Sequence, residues 1–123
     1  MSNFSEDQLR EAERIAPVVS VQNRYNVTDR SSEPMVDLCE QEALVFLPWA
    51  PLVGTDDVVP LQTAARRHGV SPRQVAIAWL LSRSPQILPI PGSGSPEHVE
   101  QNILAASIDL EAEEANAITD VAE

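Results

Sequence analysis

The sequence predicts an α/β fold in which about three short parallel strands alternate with about six helices. Three apolar runs, at 18–21, 43–47 and 87–91, are separated by segments whose apolar residues recur at helical spacing. Strands that alternate with helices pair in parallel through right-handed crossovers. Three parallel strands form a small sheet with two open edges, so the pattern indicates part of a larger α/β architecture.

The first helix is predicted over about 6–15. Ser5 and Gln8 stand three residues apart, as in a capping box, and Pro17 ends the helix. The run 18–21 follows as the first strand because it is rich in β-branched residues. It is apolar almost throughout, which is typical of a parallel strand covered on both faces.

A second helix and strand follow in the same order. The helix is predicted over about 33–42 with Ser32 as its cap, and the strand over 43–47. Pro48 and Pro51 then force an extended exit, because proline cannot donate a hydrogen bond to a strand ladder.

Two helices precede the third strand. One is predicted over about 58–68 and ends at Gly69, which suits a left-handed cap. The next is capped by Ser71, and its apolar stretch over 75–81 indicates deep packing, with Trp79 in the core.

The remainder of the chain is a strand, a turn and two helices. The third strand is predicted over 87–91, and a Gly-Ser turn then leads into a helix of about 96–106. The last helix, about 111–122, is very acidic.

The charge balance disfavours several classes of function. The chain of 123 residues has 19 acidic and 8 basic residues, a net charge of −11, and every basic residue is Arg. Without Lys it has neither a Schiff-base lysine nor a Walker-type phosphate loop. Its acidity also disfavours binding to nucleic acid or to an anionic membrane.

Cysteine content and hydropathy limit the compartment and the metal chemistry. Cys39 is the single cysteine, which excludes an internal disulfide and disfavours a cysteine-based metal site. The uncharged run 43–55 contains two prolines and is too short to span a membrane. The residues after Met1 are polar and acidic, unlike a signal peptide. We therefore expect a cytoplasmic location and no metal site.

Five motifs stand out when the chain is read from end to end. They are Ser2-Asn3-Phe4-Ser5, Val21-Gln22-Asn23-Arg24-Tyr25-Asn26, Phe46-Leu47-Pro48-Trp49-Ala50-Pro51-Leu52, His68-Gly69-Val70-Ser71 with Gln74-Val75-Ala76-Ile77-Ala78-Trp79-Leu80, and Leu88-Pro89-Ile90-Pro91-Gly92-Ser93 with Gln101-Asn102. In content and order they resemble the motifs of aldo-keto reductases. The resemblance covers almost the whole chain and is far more specific than one Gly-rich turn.

The resemblance implies the fold and activity of that family, an eight-stranded (β/α) TIM barrel that reduces carbonyl compounds such as aldehydes to alcohols with NADPH. Residues 1–123 would be a partial domain, the C-terminal half of the barrel. Ser2 and Asn3 would follow the fifth strand, and the three predicted strands would be the sixth, seventh and eighth. A barrel needs about 250 residues, so we expect this chain to lack roughly half of one.

The resemblance also implies two groups of cofactor contacts. Those at the nicotinamide end are Ser2, Asn3, Gln22 and Trp49, and Ala50 and Leu52, which follow Trp49, are implied as further cofactor contacts. Ser, Asn and Gln side chains complement the carboxamide, and the flat indole suits stacking on the nicotinamide ring. Those at the adenosine end are Gly92, Ser93, Ser95, His98, Gln101 and Asn102. A turn that exposes N–H groups at a helix start favours phosphate.

At the adenosine end the sequence departs from many relatives. Gly92 stands where they often carry a basic residue, and His98 stands where Arg is common. Both changes remove a permanent positive charge. NADP(H) is therefore the expected cofactor by resemblance, and NAD(H) is not excluded.

No catalytic residue is assigned to this chain. The family's acid–base set is Asp, Tyr, Lys and His from the first half of the barrel, and this sequence has no Lys. Tyr25 does not match the catalytic tyrosine, although Tyr25, Trp49 and Leu52 could border a carbonyl pocket. His68 is predicted to be structural, and the acidic residues of 109–123 are predicted to form a solvated helix face.

Three interpretations stay open. The chain is the cofactor-binding half of an NADPH-dependent aldo-keto reductase that is inactive alone, a non-catalytic half-barrel that binds itself or another chain, or a truncated reading frame. A small carbonyl compound is the expected partner if the barrel is completed. Open strand edges favour self-association. The apolar residues expected on the exposed inner face are Val19, Val21, Val45, Leu47, Leu88 and Ile90, or their neighbours in the strands.

Overall fold

Helices pack against one face of a short parallel sheet in the computed structural model, which describes residues 1–122. Strands β1 (Ser20–Val21) and β2 (Val45–Phe46) pair in parallel, with Ser20 opposite Val45. The six α-helices of the described chain are α1 (Glu6–Glu13), α2 (Glu33–Glu42), α3 (Val59–His68), α4 (Pro72–Arg83), α5 (Pro96–Leu104) and α6 (Ala112–Thr119). The α/β class predicted from the sequence is confirmed.

Single bridges extend the parallel pairing on both sides of these two strands. Ser2 bridges Gln22 before β1 pairs with β2, and Phe46 bridges Ile87 on the far side. The Leu88 N–H donates to the Phe46 carbonyl at 2.9 Å. Four parallel segments therefore lie side by side, in the order 1–3, β1, β2 and 86–88.

The predicted third strand, 87–91, is wrong in its extent. Ile87 makes one parallel bridge to Phe46, and the pairing goes no further. Pro89 and Pro91 have no N–H to donate, so the ladder cannot continue past Leu88.

The predicted second strand is also too long at its start. Ala43 adopts a left-handed conformation with φ of 56° and caps α2 instead of beginning β2. The observed helix boundaries agree better with the predicted ones than the strand boundaries do, because helix caps depend on residues close together in the sequence. Capping boxes form at Ser5 with Gln8 and at Ser71 with Gln74, and α2 spans the predicted residues.

Three aromatic rings form the centre of the core between the sheet and α4. The Tyr25 ring stacks on Trp79, with a centroid distance of 5.9 Å, and meets Phe46 edge-on at 5.8 Å. The Trp79 indole N–H donates to Thr119 Oγ1 at 3.1 Å, which ties α6 to α4. Trp79 is thus a core residue, as the sequence indicates.

A partly buried ion-pair network fastens α2 to α4. Glu33 accepts hydrogen bonds from the Arg30 and Arg83 guanidinium groups and from the Tyr25 hydroxyl. Burial would raise the pKa of Glu33, but these donors outweigh it and hold the pKa below its ordinary value. The carboxylate therefore stays ionised at neutral pH.

The second face of the sheet is open. Val45, Leu88 and Ile90 are exposed there, with 36%, 56% and 40% of their surface accessible. Val21 itself does not lie on this face, contrary to expectation, whereas its neighbours Ser20 and Gln22 are partly exposed. Val21 is fully buried because it lies opposite Phe46 in the register and shares its helix-covered face.

The described residues contain neither a membrane-spanning helix nor a cluster of metal-ligating side chains. None of the helices within 1–122 combines the length and apolar character needed to cross a bilayer. That same part of the chain contains no cluster of three His, Cys, Asp or Glu residues placed to hold a metal ion.

Candidate functional site

The carboxyl ends of the parallel segments bring Ser2 and Gln22 together. The bridge between them is fixed by the Asn3 N–H, which donates to the Gln22 carbonyl at 2.8 Å, and by the Gln22 N–H, which donates to Met1 at 2.7 Å. Neither the Ser2 nor the Gln22 side chain makes a hydrogen bond to residues 1–122. A hydroxyl and an amide thus stand free at one edge of the sheet.

Trp49 is oriented by two polar neighbours. Its indole N–H donates to Asn3 Oδ1 at 2.8 Å, and the Arg24 guanidinium carbon lies 5.6 Å from its ring centroid. Arg24 is held in turn by an ion pair with Asp29, in which Arg24 Nε lies 2.9 Å from Asp29 Oδ2. The indole is half-buried, so part of its surface stays accessible. Sequence reasoning missed Arg24, although its place two residues after Gln22 on the same face was a usable signal.

The backbone that follows Trp49 is fixed by the buried Asn26. Its Nδ2 donates to the Ala50 carbonyl at 3.0 Å, and its Oδ1 accepts from the Thr28 N–H and hydroxyl at 2.9 and 3.0 Å. Ala50 has a φ of 51°, an uncommon value for a residue with a Cβ. Leu52 is buried, with its carbonyl held by Thr55. Sequence reasoning also missed Asn26.

Tyr25 does not border a pocket, and that prediction is wrong. The ring is fully buried on the helix-covered face, and its hydroxyl donates to Glu33 at 2.7 Å. Burial, together with the Glu33 carboxylate, raises the pKa of the phenol. Tyr25 is one residue out of phase with Gln22 and Arg24, and the strand alternation turns it to the opposite face.

The second predicted group surrounds the turn before α5. The Ser95 hydroxyl caps α5 by accepting from the His98 N–H at 3.5 Å, and the Ser93 hydroxyl accepts from the Ser95 N–H at 3.1 Å. A Cβ on Gly92 or Gly94 would meet no atom within 4 Å. The chain's own packing therefore does not require these glycines, and the space beside the turn is open to an approaching group.

Residues of α5 connect the turn to α4. The Gln101 carbonyl accepts from Gln74 at 3.1 Å, while its side chain donates to Glu97 at 3.3 Å. Asn102 lines a depression of about 370 Å³ between α4, α5 and the 89–91 segment. His98 is exposed.

A cleft of about 220 Å³ lies between the two groups. Its lining comes from the loop after Trp49, from the start of α4 and from the turn before α5: Ala50, Pro51, Leu52, Val53, Arg73, Pro91 and Gly92. Three of the predicted cofactor residues therefore share one cleft. Arg73 was not singled out in the sequence.

Outside this region, Glu114 contradicts the expectation of a solvated acidic face. Its side chain is 8% exposed, and its Oε2 lies 2.9 Å from His68 Nε2, beside Arg67. The hydrogen bond from His68 is the main cause of its lowered pKa. His68 is thus structural, joining α3 to α6. Glu123, also in the predicted acidic face, lies outside the described residues.

Comparisons with known proteins agree on one family. The family model described as the aldo/keto reductase family matches residues 1–123. Pyridoxine 4-dehydrogenase from Escherichia coli is 40% identical over 118 residues, which are 92% of this chain and 40% of that protein.

Two solved structures superpose closely on the chain. The thermostable aldo-keto reductase Tm1743, in complex with the inhibitor epalrestat, has a TM-score of 0.90 and 29% identity, and the match covers 98% of this chain and 46% of that one. An aldo/keto reductase from Klebsiella pneumoniae, in complex with NADP and acetate, has a TM-score of 0.88 and 25% identity over 98% and 46% of the two chains. The chain thus spans about two fifths of the length of the curated relatives and under half of these structures.

Proposed function

Because the chain belongs to the aldo/keto reductase family, we propose that it forms the cofactor-binding side of an NADPH-dependent carbonyl reductase. The observation that carries the proposal is the single cleft that joins the loop after Trp49 to the Gly92 turn. The Klebsiella pneumoniae relative in complex with NADP supports the choice of cofactor. When bound, a reduced nicotinamide supplies a hydride to a carbonyl carbon.

The donor set fits the nicotinamide end of such a cofactor. A carboxamide offers one acceptor and two donors, and the Gln22 amide and Ser2 hydroxyl have no competing partner in residues 1–122. Asn3 keeps its Nδ2 available, because only its Oδ1 is used by Trp49. These three side chains would hold the carboxamide, and Trp49, steadied by Asn3 and Arg24, would lie against the ring.

The adenosine end fits less closely. The Ser93 and Ser95 hydroxyls are already used within the turn, so exposed N–H groups and open space would receive the phosphate. Gly92 and His98 bring little permanent charge. We therefore expect a modest preference for NADPH over NADH.

Proton transfer to the carbonyl oxygen would come from elsewhere. The family's acid–base set includes a Lys, and this chain has none. Tyr25 is buried, and its hydroxyl donates a hydrogen bond to Glu33. In this proposal the residues of this chain position the cofactor, and a further segment completes the barrel and supplies the acid.

A second candidate is a half-barrel that associates with itself or another chain. It is favoured by an apolar groove of about 410 Å³ at the first parallel segment, lined by residues of the 12–20 region together with Met1. Val19, in that groove, has 75% of its surface exposed. Association alone would leave the polar groups at the strand ends without a role.

Fluorescence tests the first candidate. NADPH added to the chain should quench tryptophan emission and gain sensitised emission, and Trp49→Phe should remove most of both because Trp79 is buried in the core. Gln22→Ala should weaken binding, whereas Gln62→Ala, on α3, should not. No change in emission up to millimolar NADPH would contradict the proposal.

A further inference from the structure

The cleft between the loop after Trp49 and the Gly92 turn holds one charged side chain. Arg73 is the second residue of α4, is half-buried, and lines the cleft of about 220 Å³ together with Ala50–Val53, Pro91 and Gly92. No carboxylate contributes to this lining. The cleft is thus locally basic in a chain with a net charge of −11.

Arg73 differs from the other half-buried arginines of the described chain because it lacks a partner. Within residues 1–122 it makes neither an ion pair nor a side-chain hydrogen bond. Five other arginines are paired with carboxylates: Arg10, Arg24, Arg30, Arg67 and Arg83. Arg14 and Arg66 also lack a carboxylate partner, but both are exposed, and Arg66 bonds to Thr63 Oγ1 at 3.4 Å. A chain with 19 acidic residues thus leaves its cleft-lining arginine free.

The position of Arg73 makes the lack of a partner costly. It sits in the first turn of α4, where the helix dipole already places positive charge, and that turn contains no acidic residue. A cation there is disfavoured unless an anion is close. An anion bound in the cleft would neutralise both the guanidinium and the helix terminus.

Across the cleft, Gly92 lies where the turn contributes no side chain. A Cβ at Gly92 would meet nothing within 4 Å, so a ligand can approach the backbone there. The turn carries no permanent cation of its own. Guanidinium groups recognise phosphate oxygens with two parallel hydrogen bonds, which suits a phosphate entering between Arg73 and this turn.

We propose that Arg73 binds a phosphate group of the dinucleotide in this cleft, supplying from α4 the positive charge that the Gly92 turn lacks. The inference rests on the proposed function, since it assigns the ligand of the same site. The phosphate is either the 2′-phosphate, which NADH lacks, or the pyrophosphate, which NADH and NADPH share.

Titrations of the full chain with NADPH and with NADH test this assignment. Arg73→Gln should weaken NADPH binding about ten-fold or more, the loss expected for one charge-assisted contact. Arg14→Gln is the matched control, since it removes another unpaired arginine away from the cleft, and it should leave the affinity unchanged. A loss confined to NADPH assigns the 2′-phosphate, and an equal loss for both cofactors assigns the pyrophosphate.

Two results would overturn the inference and are distinguishable. Unchanged affinity of Arg73→Gln for both cofactors would show that Arg73 contacts no phosphate while the proposed function stands. Absence of binding to the unsubstituted chain would remove both. Far-UV circular dichroism confirms that each variant is folded, and Arg73→Lys should restore part of the affinity because it restores the charge without the paired geometry.

Discussion

Replacing Asn26 by Ala should destabilise the chain and release the loop that carries Trp49. Asn26 is fully buried and makes three hydrogen bonds, two from Thr28 and one to the Ala50 carbonyl. Each hydrogen bond contributes about 0.5–1.5 kcal/mol. Thr28 is exposed, so its N–H and hydroxyl can form hydrogen bonds with water instead. We therefore expect the free energy of unfolding to fall by about 2 kcal/mol, near the lower end of the sum for three hydrogen bonds.

Thermal and urea unfolding measure this loss. A change of about 2 kcal/mol should lower the Tm by roughly 8 °C in a chain of this size. Asn116→Ala is the control, because Asn116 is exposed on α6 and makes no side-chain hydrogen bond within the described chain. Asn26→Asp should be at least as damaging, since a carboxylate would face the Ala50 carbonyl. A stability of Asn26→Ala within 0.5 kcal/mol of the parent, on the scale of ordinary surface changes, would show that the Asn26 hydrogen bonds do not stabilise this loop.

Three further outcomes are expected. Because the pKa of Glu33 is lowered in the folded state, its stabilising contribution should be complete above its unfolded pKa, about 4.3, and lost as the pH falls through the lower folded value. Glu33→Gln should remove this dependence of the unfolding free energy on pH, while Glu11→Gln keeps it. An equal loss of stability on acidification in both variants would count against the ion-pair network. The chain alone should not oxidise NADPH with a panel of aldehydes, because it has no Lys; turnover that a substitution in this chain abolishes would overturn that expectation. Sedimentation should show self-association at tens of micromolar, reduced by Leu88→Glu on the open face, and a parent chain that stays monomeric would contradict it.

Local signals explain which parts of the fold were predictable. The capping boxes at Ser5 and Ser71 and the left-handed cap at Gly69 act within a few residues of themselves, and they set the helix boundaries correctly. Strand lengths were overestimated because they depend on partners distant in sequence. The run from Ile87 is apolar enough for a strand, but its prolines limit it to one bridge.

In the candidate site, too, some residues could be proposed from the sequence and others could not. The resemblance implies Gln22, Trp49 and Gly92 as cofactor contacts, and this stays a prediction. In the structure Gln22 pairs with Ser2 and Trp49 with Arg24 at the strand ends, and Gly92 lines the cleft that begins after Trp49. Asn26 and Arg73 were missed because their importance depends on tertiary position. Asn26 reaches a loop 24 residues away, and Arg73 faces a cleft that forms only when α4 and the Gly92 turn meet.

Three side-chain expectations are wrong, at Tyr25, Val21 and Glu114, and they have a common cause. Tyr25 lies on the helix-covered face because of the strand alternation, and Val21 because of its register with Phe46. Glu114 was read as solvated from the acidity of its helix, but His68 of α3 holds it inside. In each case one contact distant in sequence decides the environment.

Amide chemical shifts during a titration with NADPH would locate the cofactor on this chain residue by residue. We expect shifts concentrated at Gln22, Trp49, Arg73 and 92–95, with the His68 region of α3 unaffected and serving as an internal control. Shifts confined to α3 and α6, or no shifts at millimolar NADPH, would contradict the claim that this chain forms the cofactor-binding side of a reductase.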